Sequence, residues 1–333
     1  MKAIIPVAGA GTRLRPHTYT QPKPLLPVAG KPIICFIIDK LIESGIGEFV
    51  FVIGYLGEKV KLFIEQQYPD LAKEFVWQHE RQGLGHAIWM ARNAFKHSDE
   101  IFIVLGDTIF DVNINEMFDV PHSCLAIKRV NDPREFGVVE VSESGIVTKV
   151  VEKPKIPKSN NALVGLYKIK EVNLLIDCLE YNILNNVRTH GEFQLADGLM
   201  RMIERGVKFT TKSVNNWFDC GKREILLETN AMLLDQEGYA SGDNEIPVFD
   251  NTIIIHPVSI GKNCNINNSI IGPHVTIGSD ATISSSIIKN SIIGSFTLIE
   301  ETVLWQSIIG SDTAIKGLRQ SLNIGDNTEI DFS

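Results

Sequence analysis

Near the start of this chain, Gly9-Ala10-Gly11-Thr12-Arg13-Leu14-Arg15-Pro16 sets two glycines and two arginines directly after a strand-like run. Glycines let a backbone approach a polyphosphate closely, and successive N–H groups can then cradle its charge. Lys23 follows between Pro22 and Pro24, so a third cation stands on backbone that proline restrains. Spacing excludes two other phosphate loops. A dinucleotide-binding Gly-x-Gly should open a helix at once, whereas Pro16, Pro22, Pro24 and Pro27 forbid an uninterrupted helix. A Walker-type loop needs Gly-Lys-Ser/Thr at its end, and none follows. The segment reads instead as an extended loop carrying Arg13, Arg15 and Lys23 around an anion.

Farther along, Asp107 ends a strongly apolar run, where a carboxylate at a sheet's carboxyl edge can meet a metal bound to phosphate oxygens. A cap or turn aspartate is the ordinary alternative. Gln78 ends another strand-like run, and Gly83-Leu84-Gly85-His86-Ala87 opens the helix after it. Glu152-Lys153-Pro154 offers a carboxylate and an ammonium, with a surface ion pair as the ordinary alternative, and Gly137 and Gly165 mark either close approach of a ligand or strand bulges.

The elements that must hold these residues fall into two regimes. Over residues 1–236, β-rich runs (3–7, 49–53, 75–78, 101–105) alternate with helical patterns (32–43, 58–67, 85–95), the signature of a doubly wound, mostly parallel sheet. Ligands of such sheets gather at the strands' carboxyl ends. Closely spaced strands at 125–130, 137–141 and 147–151 then suggest an antiparallel extension with a second subsite, followed by helices near 171–184 and 193–204. The polar, turn-rich segment 235–247 separates this α/β domain from residues 246–333. There Ile260, Ile271, Ile277, Ile293, Ile309 and Ile324 each precede glycine, with Ile266, Ile283, Ile288, Leu298, Leu304 and Ile315 between them. Steps of five or six residues predict hexapeptide repeats wound into a parallel β-helix.

The 333 residues suffice for both domains, and 44% apolar with 22% charged residues is ordinary globular composition. The net charge of −8 argues against nucleic-acid binding, so an anionic ligand must be held by a few local cations. No apolar run approaches the roughly 20 residues that span a bilayer, and no signal peptide opens the chain, which predicts no membrane partner and a cytoplasmic location. Five scattered cysteines, never spaced as Cys-x-x-Cys, read as reduced thiols.

Gly9-x-Gly11-Thr12-Arg13-Leu14-x-Pro16, with Pro22-Lys23-Pro24-Leu25-Leu26-Pro27-Val28, resembles the signature of the sugar-1-phosphate nucleotidylyltransferases. Further matches run to Gly221: Leu105-Gly106-Asp107, Phe136-Gly137-Val138-Val139, Glu152-Lys153-Pro154, Gly165-Leu166-Tyr167, Gly191-Glu192 and Trp217-x-Asp219-x-Gly221. The chain is most similar to the longer glucose-1-phosphate thymidylyltransferases, which carry a left-handed β-helix after the catalytic domain. That resemblance implies transfer of a nucleotidyl group from dTTP or UTP to a sugar-1-phosphate, glucose-1-phosphate foremost, with release of pyrophosphate. It implies Arg13 at the leaving pyrophosphate, Lys23 at the α-phosphate, and Mg²⁺ held by Asp107 and Asp219. It puts the nucleotide on Ala8, Gly9, Gly11, Thr12, Gln78 and Gly83, with Gln78 at the base edge, and the sugar phosphate on Gly137, Glu152, Lys153 and Gly165. Pro24 after the lysine also fits mannose-1-phosphate guanylyltransferases, Cys220 replaces a usual threonine, and Val164 replaces a commonly more polar residue.

Two other functions compete. Hexapeptide-repeat domains often transfer acyl groups with a histidine base, and His256 and His274 are the histidines of the repeats, each beside a proline as a turn histidine would be. A regulatory subunit that senses sugar nucleotides would have lost catalytic residues, yet Arg13, Lys23, Asp107 and Asp219 are all in place. The flat sides of a β-helix predict a homo-oligomer.

Overall fold

The computed structural model describes residues 1–236, 238–241 and 246–317. Contacts divide the chain into two compact units, Met1–Thr229 and a second that begins at Asn230.

In the first unit, β1 (Lys2–Val7), β2 (Glu48–Ile53), β3 (Ala72–Trp77) and β4 (Ile101–Val104) form the parallel part of a nine-stranded sheet. Helices α1 (Ile33–Glu43), α2 (Gly57–Gln67) and α3 (Leu84–Met90) link them. The central strands are covered on both faces and read as apolar runs: every residue of β4 and all but Glu48 of β2 are buried. Within the sheet the order is β3-β2-β1-β4, so the chain steps outward from β1 and then returns to its other side. At that reversal the loops leaving β1 and β4 diverge and open a crevice beyond Val7 and Val104.

After β4 come β5 (Thr108–Asp111), β6 (Ser123–Arg129), β7 (Gly137–Val141), β8 (Val147–Glu152) and β9 (Asn161–Ile169). The expected antiparallel extension is present as β8-β7-β9, with β9 antiparallel to β4 and to β6. Register slips along β9 between Leu163 and Tyr167, around Gly165 at φ +88°, where a Cβ would lie 2.8 Å from Leu105 side-chain atoms. Gly165 therefore marks a strand bulge. Helices α4 (Val172–Leu184) and α5 (Leu195–Glu204) pack where helical patterns were expected, and β10 (Phe209–Ser213) adds to β6. Sequence periodicity did not reveal β5, β9, β11 (Asn216–Asp219) or α6 (Arg223–Asp235). The β5–β11 ribbon matters for the site, because its register sets Asp219 opposite Thr108 and hence beside Asp107.

Among the described residues the second unit is a left-handed parallel β-helix of three four-stranded parallel sheets. Successive coils bring Ile253, Ile270, Ile287 and Val303 into line, 17, 17 and 16 residues apart. Its core is a stack that includes Ile266, Ile271, Ile277, Ile283, Ile288, Ile293 and Ile299. Corners fall on residues with positive φ such as Asn263, Asn268, Asp280 and Asn290, whose short polar side chains tolerate the left-handed region. One inward position differs from the sequence reading: Ile299 stacks on Ile283, while Leu298 lies outside the buried core. The coil loses its residue earlier, between Ile288 and Ile292; the step from Ile293 to Ile299 is six residues, like that from Ile277 to Ile283, so a five-residue step to Leu298 picks the neighbour on the other side of the strand. The repeat at Ile324 lies outside the described residues. Among the described residues no helix is long and apolar enough to cross a membrane.

Candidate active site

Two adjoining cavities occupy the crevice beyond β1 and β4. The larger, about 560 Å³, is lined by residues that include Ala8, Gly9, Gly11, Thr12, Gln78 and Gly83. The smaller, about 180 Å³, is lined by Gly137, Glu152 and Lys153 among others. Leu84, Leu105 and Asp107 border both, so Asp107 stands where the two meet.

The glycine loop is not extended as expected but a chain of single 3₁₀ turns, Thr12–Leu14, His17–Tyr19 and Lys23–Leu25. Short turns satisfy the prolines, which rule out a helix but allow a tight bend. Among the described residues the N–H groups of Gly9, Ala10 and Gly11 have no protein acceptor, which leaves them for an anion. Arg15 instead lays its guanidinium over the Tyr19 ring, 4.8 Å from its centroid. Arg13 is exposed and pairs at 3.8 Å with Glu135, which also receives Lys222 at 2.8 Å. It does not line either cavity in this structure.

Lys23 is only 8% exposed. Its ammonium lies 2.5 Å from Asp107 Oδ2 and 3.5 Å from Asp219 Oδ1. Burial alone would discourage its charge, yet the two carboxylates outweigh burial and the Lys23 pKa is raised. For Asp107, burial pushes upward but the Lys23 ammonium prevails and holds the carboxyl below its usual value. Burial, then the neighbouring Asp107, raise Asp219. One ammonium therefore offsets part of the repulsion between two neighbouring carboxylates.

Gln78 emerges from β3, and its amide nitrogen reaches Gly83 O at 3.2 Å and His86 Nδ1 at 3.0 Å. Gly83 needs to be glycine: φ is +107°, and a Cβ would lie 2.6 Å from the carbonyl oxygen of Phe193. Hydrogen bonds Phe193 N–H to Gln82 O and Gly85 N–H to Phe193 O, both 2.8 Å, strap this loop to the segment before α5.

In the smaller cavity Glu152 faces Gly137 across β7 and β8, and a Cβ on Gly137 would lie 3.2 Å from Glu152 Oε2. Burial raises the Glu152 pKa, with Lys153, 3.6 Å away, opposing it. Gly165 lines neither cavity; its bulge meets Leu105 behind them. The structure adds Arg81 and Glu192 to the larger cavity, and Tyr167 and Trp217 to the smaller. Arg81 lay in sight between Gln78 and Gly83, and Tyr167 and Trp217 within quoted motifs, but no spacing rule assigned them a task.

The chain matches the family described as nucleotidyl transferase over residues 2–236. It is 35% identical over 259 residues to the bifunctional protein GlmU of Methanococcus maripaludis, an alignment covering 76% of this chain and 60% of that protein. The chain thus spans about 60% of the length of that relative. A glucose-1-phosphate thymidylyltransferase of Streptomyces griseus is 27% identical over 314 residues, 88% of this chain and 87% of that one. Among solved structures, a Bacillus anthracis protein described as a candidate glucose-1-phosphate thymidylyltransferase, in complex with a sucrose, matches with a TM-score of 0.61. It is 27% identical and covers 71% of this chain and 96% of its own.

Proposed function

This chain belongs to the nucleotidyl transferase family, and we propose that it transfers a nucleotidyl group from dTTP or UTP to a sugar-1-phosphate, glucose-1-phosphate first among them. The observation that carries this reading is the buried Lys23 ammonium, which lines neither cavity itself but is held between Asp107, which borders both, and Asp219, which lines the smaller. A triphosphate in the larger cavity and a sugar phosphate in the smaller would bring their reacting atoms together at that point.

A phosphate oxygen of the sugar-1-phosphate forms the new bond to the nucleotide's α-phosphorus while the bond from that phosphorus to the bridging oxygen breaks, and pyrophosphate leaves with the electron pair. The nucleophile is already anionic, so no base has to remove a proton. What remains for the protein is alignment and stabilisation of charge. Lys23 would follow the charge at the α-phosphate, the Gly9–Gly11 amides would hold the outgoing phosphates, and Arg13 would turn from Glu135 to neutralise them. Glu152 and Lys153 would take the sugar hydroxyls and phosphate. The donor set suits Mg²⁺: two hard carboxylates converge on one cation, and among the described residues no third acid, histidine or cysteine completes a closed metal cage. Asp107 and Asp219 would hold the ion, whose charge would draw in the phosphates.

We assign residues 1–236 to catalysis and 246–333 to the β-helix. Its sheet exposes Ile253, Ile287, Val303 and Trp305, and we take a second copy of the chain as the occupant, since a ladder of repeated aliphatic rungs matches the same ladder on a twin. Replacing Ile287 and Val303 together with lysine should lower the mass seen by light scattering; an unchanged mass would remove this interface. His274 occupies a coil corner with its ring nitrogens near Asp235 (2.9 Å) and Asn290 (3.3 Å), which supports a structural histidine over an acyl-transfer base. Its cysteines are free thiols, as a cytoplasmic enzyme would keep them.

The test is pyrophosphate release with Mg²⁺ across dTTP, UTP and GTP and a panel of sugar-1-phosphates. Release with glucose-1-phosphate and a pyrimidine triphosphate supports the reading, release with GTP and mannose-1-phosphate favours guanylyl transfer, and none from any pair sinks nucleotidyl transfer.

A further inference from the structure

The amide of Gln78 has two hydrogens, and both are spent inside the protein. One goes to Gly83 O and the other to His86 Nδ1. A carbonyl oxygen can only accept, so Gly83 fixes which end of the amide is nitrogen whatever the histidine tautomer. His86 must then present its Nδ1 lone pair and carry its proton on Nε2. Among the described residues no protein donor is paired with Gln78 Oε1, and Gln78 lines the larger cavity. Close by, the Gly83 N–H also has no protein acceptor.

Building on nucleotidyl transfer as the function, we propose that His86 is a positioning residue that locks the Gln78 amide as an acceptor and so restricts the enzyme to keto bases. Uracil, thymine and guanine each present a ring N–H beside a carbonyl oxygen. That edge is complementary to an acceptor, Gln78 Oε1, beside a donor, the Gly83 N–H. Cytosine and adenine present the reverse, a ring lone pair beside an amino group, and clash at both points. A freely turning amide would accommodate either edge; the two acceptors behind Gln78 remove that freedom.

The ring of His86 is itself held, tilted against Trp89 and Phe193 with centroids 6.0 and 6.4 Å away. Burial lowers its pKa and so favours the neutral ring, Glu80 opposes this and Arg188 assists. Neutrality is necessary, because an imidazolium would turn a donor toward the Gln78 nitrogen and push the amide over, against the Gly83 carbonyl.

Equilibrium binding of UTP, GTP, CTP and ATP by calorimetry, without sugar phosphate, reads base choice apart from turnover. The wild-type protein should prefer UTP over CTP by about 100-fold or more, since a site built for a polar edge rejects its opposite strongly. His86→Phe keeps an aromatic ring but no acceptor, and the preference should shrink at least about tenfold. His86→Asn offers an amide oxygen in place of Nδ1; it should retain the preference and lose the wild-type decline in preference below the ordinary imidazole range. A UTP to CTP ratio unchanged in His86→Phe, or absent in the wild type, would overturn the proposal. Clear keto preference in binding with no pyrophosphate released would count against nucleotidyl transfer alone.

Discussion

Replacing Lys23 by alanine removes the ammonium that reaches both Asp107 and Asp219. Two effects with different sizes follow. In the transition state, loss of a preorganised charged donor costs about 10²–10³ in rate, equivalent to about 2.7–4 kcal/mol. In the resting protein, the ammonium's bonds of 2.5 and 3.5 Å to Asp107 and Asp219 also disappear. Those carboxylates are 36% and 37% exposed, so water screens the repulsion they are left with, and the pair is worth nearer the ~1 kcal/mol of an exposed bridge than the full price of a buried one. The variant should therefore stay folded, with a urea midpoint shifted by no more than about 1–2 kcal/mol, while kcat falls at least about 100-fold. Pyrophosphate release at saturating nucleotide, sugar phosphate and Mg²⁺ measures the first quantity, and urea unfolding followed by fluorescence measures the second. A folded Lys23→Ala protein that keeps kcat within about threefold of wild type would refute the role given to Lys23, because a threefold change is less than 1 kcal/mol.

Gly83→Ala should destabilise the catalytic unit by about 1–3 kcal/mol, from the strained φ and the clash with the Phe193 carbonyl, and should weaken nucleotide binding in calorimetry. Asp107 and Asp219 should respond oppositely to conversion to asparagine. The folded-state pKa of Asp107 is depressed, so its charge adds stability above the ordinary carboxylate range that is lost as pH falls through the folded value; Asp107→Asn should lower the urea midpoint at pH 7. That of Asp219 is raised, so its charge costs stability once pH exceeds the ordinary range; Asp219→Asn should raise the midpoint at pH 7, and near pH 3 it should change little. Both comparisons belong in metal-free buffer.

The parallel half of the sheet was legible because β2 and β4 are buried on both faces and leave continuous apolar runs. The β-helix was legible because each coil repeats the same inward aliphatic side chain; among the described residues the reading missed at Leu298, where the step from Ile293 to the next inward residue is six rather than five. What stayed hidden depends on pairing between distant segments. The short β5 and β11 strands have no apolar period of their own, yet their pairing sets Asp219 beside Asp107. Gly165 read as either a ligand contact or a strand bulge, because glycine signals close approach of some kind and sequence does not say whether a ligand or Leu105 is the neighbour. The sequence pointed to Gln78 but not to His86 as its orienter, since that bond exists only once the loop folds back on α3.

The most direct measurement follows the fate of the α-phosphorus. With UTP or dTTP labelled at that atom, Mg²⁺ and glucose-1-phosphate, nucleotidyl transfer at the Lys23–Asp107–Asp219 centre predicts that all label leaves in a nucleotide sugar while unlabelled pyrophosphate accumulates in equal amount. Label appearing as free nucleoside monophosphate, or remaining in the triphosphate with every sugar phosphate tried, would contradict it.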